Sequence, residues 1–185
     1  MNHLATSKED ILAASRDLIK ENGWAAVSIR AVASRCSVSA GTIYNYYESK
    51  ADLLSDTIEN IWHEIFFHPE DEQVFHDVES CISWIYERLE YGNRQFPGFF
   101  SLHSFGFMRD EKTSGKKRMM KTWGHILNGL CEVLGNDPKV RADVFDQEFT
   151  EKKFADILFS LILVSMIRQD YDPSSVLMLV KKTLY

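Results

Sequence analysis

The side chains of this chain best suited to chemistry lie between Ser28 and Lys50, in the stretch SIRAVASRCSVSAGTIYNYYESK. Ser39, Ala40, Gly41 and Thr42 open a predicted short helix, where backbone N–H groups have no acceptor within the helix. Small side chains there let those groups approach a phosphate or a base edge. Gly41 leaves space for a nucleic-acid backbone, and the Thr42 hydroxyl is placed to hydrogen-bond phosphate. Tyr44 and Asn45 follow on the face away from Ile43 and Tyr47, which read as packing residues. An asparagine bonds adenine in a bidentate fashion, and a tyrosine ring packs on a thymine methyl. Tyr44, Tyr46 and Tyr47 cannot all be buried on a two-turn helix, and exposing large rings calls for a functional reason. Such a surface suits contact with a nucleic acid.

Catalytic constellations are absent from the sequence. It holds no G-x-x-x-x-G-K-[ST], G-x-G-x-x-G or G-x-S-x-G. Ser114 to Lys117 has S-x-x-K spacing but falls in a predicted polar loop without companion motifs. His63 and His68 narrowly miss H-E-x-x-H, because a second histidine at i+5 leaves the helix face that shared ligation needs. His76, His103 and His125 are scattered, and neither a metal nor a cofactor is implied. Cys36, Cys81 and Cys131 are odd in number and lack C-x-x-C spacing, so a disulfide framework and a zinc knuckle are both excluded. Cys36 reads as a small packed side chain.

Helices must position these residues. Ser7 and Asp10 form a capping box, and apolar residues from Ile11 to Ile19 recur at helical spacing until Asn22-Gly23. Ser28 and Ser39 each precede a short helix, and Ser49 and Asp52 form a second capping box before a longer helix that ends ahead of His68-Pro69. The first half is thus predicted as four helices starting near residues 8, 29, 40 and 50, the middle two in a helix-turn-helix. Beyond an acidic linker, a helix is expected over 74–91, broken by Phe96-Pro97-Gly98. An aromatic segment (99–108) and a polar loop (110–117) follow, then a helix from Met119 to Gly135. Lys112, Lys116, Lys117, Arg118 and Lys121 suit a solvated loop and oppose an early helix start. The segment 139–149 is read as a short helix or irregular. Helices over 151–168 and from Pro173 onward close the chain. No strand pattern is present.

The chain has 185 residues and a formal net charge of −6. Residues 1–50 carry six basic against five acidic groups, so the deficit lies in the remainder. A near-neutral N-terminal part on an acidic body suggests two jobs and argues against a uniformly basic nucleic-acid binder. The start MNHLATSKED has no apolar signal region, and the apolar run 154–167 is shorter than the ~20 residues of a membrane span. A cytoplasmic protein is expected.

The segment 28–50 resembles the DNA-binding motif of the TetR family of one-component transcriptional regulators. Ser28, Val32, Ala33, Val38, Ser39, Gly41, Thr42, Ile43, Tyr44, Tyr46, Tyr47, Ser49, Lys50 and Leu53 occupy matching positions, and the likeness covers about residues 8–66. The resemblance implies an all-α fold, with an N-terminal helix-turn-helix DNA-binding domain (1–52) and a C-terminal helical ligand-binding and dimerisation domain (53–185). It implies contacts to a double-stranded operator from Ser28, Arg30, Ser39, Ala40, Gly41, Thr42, Tyr44, Asn45, Tyr46 and Lys50. Of these, Ser28, Arg30, Tyr46 and Lys50 would touch phosphates. The family often has glycine where Ser37 stands, and a left-handed serine costs about 1 kcal/mol more than glycine.

The body is implied to bind a small effector. Trp62, Phe66, Trp84, Phe99, Phe100, Phe105, Phe107, Met108, Met119 and Trp123 supply aromatic and methionine surface for an apolar or aromatic ligand; the alternative is ordinary core. The last two helices (about 151–185) are apolar on more than one face. That requires burial on both sides and suggests a homodimer interface of two helices per subunit. The functional expectation is a homodimeric repressor released from a palindromic operator by ligand. A transcriptional activator and a helical binding or adaptor protein that no longer reads DNA are the alternatives.

Overall fold

The computed structural model describes residues 6–66, 75–100 and 114–185, with side chains described for all of these except 114–122. These residues form eight α-helices, one 3-10 turn and no strands. The helices are α1 (Lys8–Asn22), α2 (Ile29–Arg35), α3 (Ala40–Tyr44), α4 (Lys50–Phe66), α5 (Val78–Gln95), α6 (Ser114–Asn136), α7 (Glu151–Arg168) and α8 (Ser174–Leu184). They divide into two compact units, one reaching Glu64 and including Arg94–Pro97, the other comprising Ile65–Asn93 and Gly98–Tyr185.

Local chemistry starts and stops the helices of the first unit. The Asp10 N–H donates to Ser7 Oγ (3.1 Å) while the Ser7 N–H donates to the Asp10 carboxylate (2.8 Å), a complete capping box. Gly23 ends α1 at φ 76°, its N–H bonded to the Ile19 carbonyl. Ser28, Ser39 and Ser49 accept the N–H groups of Ala31, Thr42 and Asp52. Each such cap stabilises a helix by about 1 kcal/mol, which matters most for α2 and α3, too short to persist alone. Ile11, Ile19, Val27, Val32, Ile43, Tyr47, Leu53, Ile61 and Phe96 are buried and form the core of this unit.

Ion pairs tie α1 to α4. Lys8 pairs with Asp56, Arg16 bonds Asn60 and pairs with Glu64, and Lys20 lies 2.8 Å from the same Glu64. The division between the two compact units falls inside α4, beyond Glu64. Arg35 grips Glu21 with two nitrogens and fastens α2 to α1. The Arg35 guanidinium holds the Glu21 carboxyl below its usual range.

In the second unit, α5 starts at Val78 and not Val74, which lies outside the described residues; the Asp77 carboxylate accepts the Ser80 N–H at 2.8 Å and fixes the start. The helix then runs four residues past Tyr91, to Gln95. The predicted polar loop also ends early, since α6 begins at Ser114 and takes in Lys116 and Lys117; Lys112 and residues 101–113 lie outside the described part. Residues 139–149 are irregular, and α7 runs over the predicted 151–168. Asp137 is the buried knot of this unit. Its carboxylate accepts the Val78 N–H (2.9 Å), the Tyr185 hydroxyl (2.6 Å) and the Lys139 N–H (2.9 Å). Gly92 permits close packing: a Cβ there would sit 2.6 Å from Ile65 Cδ1 and 2.9 Å from Phe100 Cζ.

Candidate functional site

Two places in the described chain expose large apolar side chains. Tyr44 (56%) and Tyr46 (42%) lie at α3, and Ile157, Val164, Ile167, Met178 and Leu179 lie on α7 and α8. Each group stands where the sequence placed a contact surface.

The turn that aims α3 has a definite geometry. At the end of α2 the Val38 N–H reaches back to the Ala33 carbonyl (2.9 Å) and the Ser37 N–H to the Ser34 carbonyl (3.1 Å). These two bonds form a Schellman motif, which needs a left-handed residue at its centre. Ser37 takes that conformation at φ 57°, where glycine pays no steric penalty. The chain reverses and Ser39 caps α3, its hydroxyl also 3.1 Å from Thr42 Oγ1. Ser39, Gly41, Tyr44 and Asn45 are exposed, with Ala40 and Thr42 half-buried beside them, while Ile43 and Tyr47 anchor the element in the core.

Gly41 has no structural reason to be glycine. A Cβ at this position would meet only Ser39 Oγ, at an ordinary 3.6 Å. Alanine would suit the helix better by roughly 0.5–1 kcal/mol.

The charges are equally selective. Of the six basic residues in 1–50, Lys8, Arg16, Lys20 and Arg35 are engaged by acidic partners. Arg30 and Lys50 are exposed and pair with no described residue. Ser28 is committed to its helix cap. The Tyr46 hydroxyl donates to the Thr6 carbonyl at 2.6 Å and fastens the segment before α1. Cys36 is half-buried, its Sγ 3.8 Å from the Asp10 carbonyl oxygen, and burial pushes its thiol up.

The second unit contains a cavity of about 740 Å3. Phe66, Phe75, Trp84, Ile85, Ile126, Leu130 and Val133 give it an apolar wall, and His76, His125, Glu132 and Asn136 are exposed members of its lining. The Trp84 ring lies 6.0 Å from Phe66 and 5.3 Å from Phe75, centre to centre. Of the effector candidates named from sequence, only Phe66 and Trp84 are among these residues. Trp62 is buried in the first unit. Phe99 and Phe100 are buried against each other, Phe100 also near Tyr171, and are core. Trp123 packs edge-on to Phe159. Phe105, Phe107 and Met108 lie outside the described residues, as does the Met119 side chain. Of the polar members, Glu132 and Asn136 belong to no motif in the sequence, and His76 and His125 read there only as scattered histidines.

The described residues thus combine a serine-capped helix-turn-helix with a separate helical unit that contains a cavity. Residues 11–57 match the family model "Bacterial regulatory proteins, tetR family". Through that segment the chain is similar to the tetR family. A Lactococcus lactis HTH-type transcriptional regulator in the lacX 3′ region is 28% identical over 90 residues, 45% of this chain and 46% of its own length. The HTH-type transcriptional regulator UidR of Escherichia coli K12 is 38% identical over 48 residues, 26% and 24% of the two chains. The matches thus span under half the length of these curated relatives. The fold extends further: the transcriptional regulator FadR from Bacillus subtilis, solved in complex with stearoyl-CoA, superposes over 97% of this chain and 100% of its own, with TM-score 0.66 at 17% identity. No described helix is long and apolar enough to cross a membrane.

Proposed function

We propose that this DNA-binding regulator of the tetR family acts as a cytoplasmic, non-enzymatic homodimeric repressor, released from a palindromic operator by a small ligand with a large apolar or aromatic part. The selective freedom of the α3 surface carries the reading. Gly41 is open where the fold does not require it, Tyr44 and Asn45 project outward, and Arg30 and Lys50 are the unpaired basic residues among six. Backbone N–H groups at the start of α3, with Arg30 and Lys50, would hold phosphates and fix register, while Tyr44 and Asn45 would read base edges in the major groove.

The exposed apolar residues of α7 and α8 support the dimer. Phe154, Leu158, Ile162 and Met166 recur at four-residue spacing and are buried, while Ile157, Val164 and Ile167 occupy the opposite side of α7. A two-fold axis there would pair two reading heads for half-sites about one helical turn, ~34 Å, apart. The cavity supports the ligand, and a solved protein of this fold is complexed with stearoyl-CoA. Ligand would favour a head separation that no longer fits the half-sites.

Footprinting on DNA flanking the protein's own gene, together with selection from random duplexes, tests the reading. A protected palindrome is expected, bound about 10- to 100-fold more weakly by Tyr44→Ala, which loses base contacts of 1–3 kcal/mol. An intact dimer that protects no site and enriches no sequence would overturn it.

A further inference from the structure

The cavity's lining selects among ligands by charge. No lysine or arginine is among the described residues that line it, and Glu132 is the one carboxylate. The side chains of Glu132, His76, His125 and Asn136 form no hydrogen bond or ion pair with another described residue. The nearby Lys139, which could have neutralised an anion at this end, is bound to Asp77 at 2.7 Å instead. The same lining carries three rings, Phe66, Trp84 and Phe75, with Trp84 next to both of the others. An aromatic face attracts a cation through its quadrupole, and a carboxylate adds direct charge pairing. The chain's formal charge of −6 raises the local concentration of cations and opposes anions. A volume of about 740 Å3 suits a molecule of drug size.

Building on the effector-cavity reading above, we propose that the ligand is a cationic amphiphile, with an aromatic or broad apolar body against Trp84, Phe66 and Phe75 and its positive group at Glu132. A carboxylate or phosphate ester of the same shape meets no lysine or arginine from the described lining and is repelled by Glu132. The cavity thereby differs in ligand class from a site built for an anionic acyl thioester.

Three probes sharing an anthracene body separate these cases: 9-(aminomethyl)anthracene as the cation, 9-anthracenemethanol as the neutral member and 9-anthracenecarboxylate as the anion. Binding to the full chain is read by probe fluorescence without DNA. The cation is expected to bind about tenfold more tightly than the alcohol, the scale of a partly desolvated cation–π and ion-pair contact, and the anion most weakly. Glu132→Gln brings cation and alcohol together, Glu132→Lys reverses the order of cation and anion, and Trp84→Phe weakens the cation more than the alcohol. Charge-blind binding, tighter binding of the anion, or no binding by any probe overturns the proposal. Footprints taken on the same preparation separate the two claims. A protected operator with no cation preference defeats the ligand assignment alone, and a cation preference lost in Glu132→Gln with no DNA site defeats the regulator reading alone.

Discussion

The reading head and the body are both helical, but they are held together differently. In the head, each functional residue sits within a few positions of the residue that places it: Ser39 caps the helix that presents Gly41 and Tyr44, and Ser37 turns the chain four residues after Ala33 accepts its bond to Val38. In the body, the decisive tie is Asp137, whose partners Val78 and Tyr185 lie 59 and 48 residues away. Local ties give a surface of fixed shape, suited to a ligand as regular as duplex DNA. Non-local ties give a frame whose parts are set by one another.

This contrast breaks most visibly at Asp137. Asp137→Ala strands two backbone N–H groups and the Tyr185 hydroxyl, and should cost about 3 kcal/mol or more. Chemical denaturation should show that loss, with the head's own packing left in place. Burial and the adjacent Asp137 carboxylate raise the Tyr185 phenol, so Tyr185→Phe tests the same tie more gently. Next in size, Val164→Glu puts a charge on the exposed apolar side of α7; it should weaken a dimer about 100-fold, the equivalent of ~2.7 kcal/mol, as read by sedimentation. A monomer–dimer equilibrium unmoved by this change would remove α7 from the interface.

Gly41→Ala sharpens the difference from the other side. It should leave melting unchanged or raise stability by up to about 1 kcal/mol, because alanine favours the helix, yet weaken operator binding about tenfold. Equal DNA affinity would show that nothing approaches Gly41 closely. Stability against pH gives a further test. Lys139 beside Asp77, and then the Ser80 backbone and hydroxyl, hold the Asp77 carboxyl down to about 2. A depressed folded-state value contributes stability that is present in full above the ordinary range near 3.9. It is lost as pH falls from about 4 towards 2. Asp77→Asn should flatten that part of the acid-denaturation curve. Smallest of all, Ser37→Gly relieves a left-handed serine and should stabilise the head by about 0.5–1 kcal/mol.

Sequence made the head legible for the same reason that the head is locally built. The caps at Ser7, Ser28, Ser39 and Ser49, the stop at Gly23 and the left-handed demand on Ser37 are encoded within four residues of where they act. Tyr46 and Arg35 were harder, because Thr6 and Glu21 become their partners only once α1 lies beside the motif. In the body, apolar periodicity foretold α7 to the residue and the two-sided character of α7 and α8. It could not tell Phe66, which lines the cavity, from Phe100, which is core, since both are buried aromatics. Glu132 and Asn136 belong to no motif, and only the fold shows that they border a cavity. The start of α5 was misjudged because Asp77 caps it from outside the apolar repeat.

The head is compact without being continuous in sequence. Arg94–Pro97 belongs to it, Phe96 is fully buried, and the Lys20 ammonium lies 4.8 Å from the centre of the Phe96 ring. During synthesis, a nascent chain that has just completed the helix-turn-helix still lacks this cover. The reading surface reaches its finished form only after α4 and α5 have been made. A fragment ending at Glu64 would carry the full motif but leave open the place that Phe96 closes.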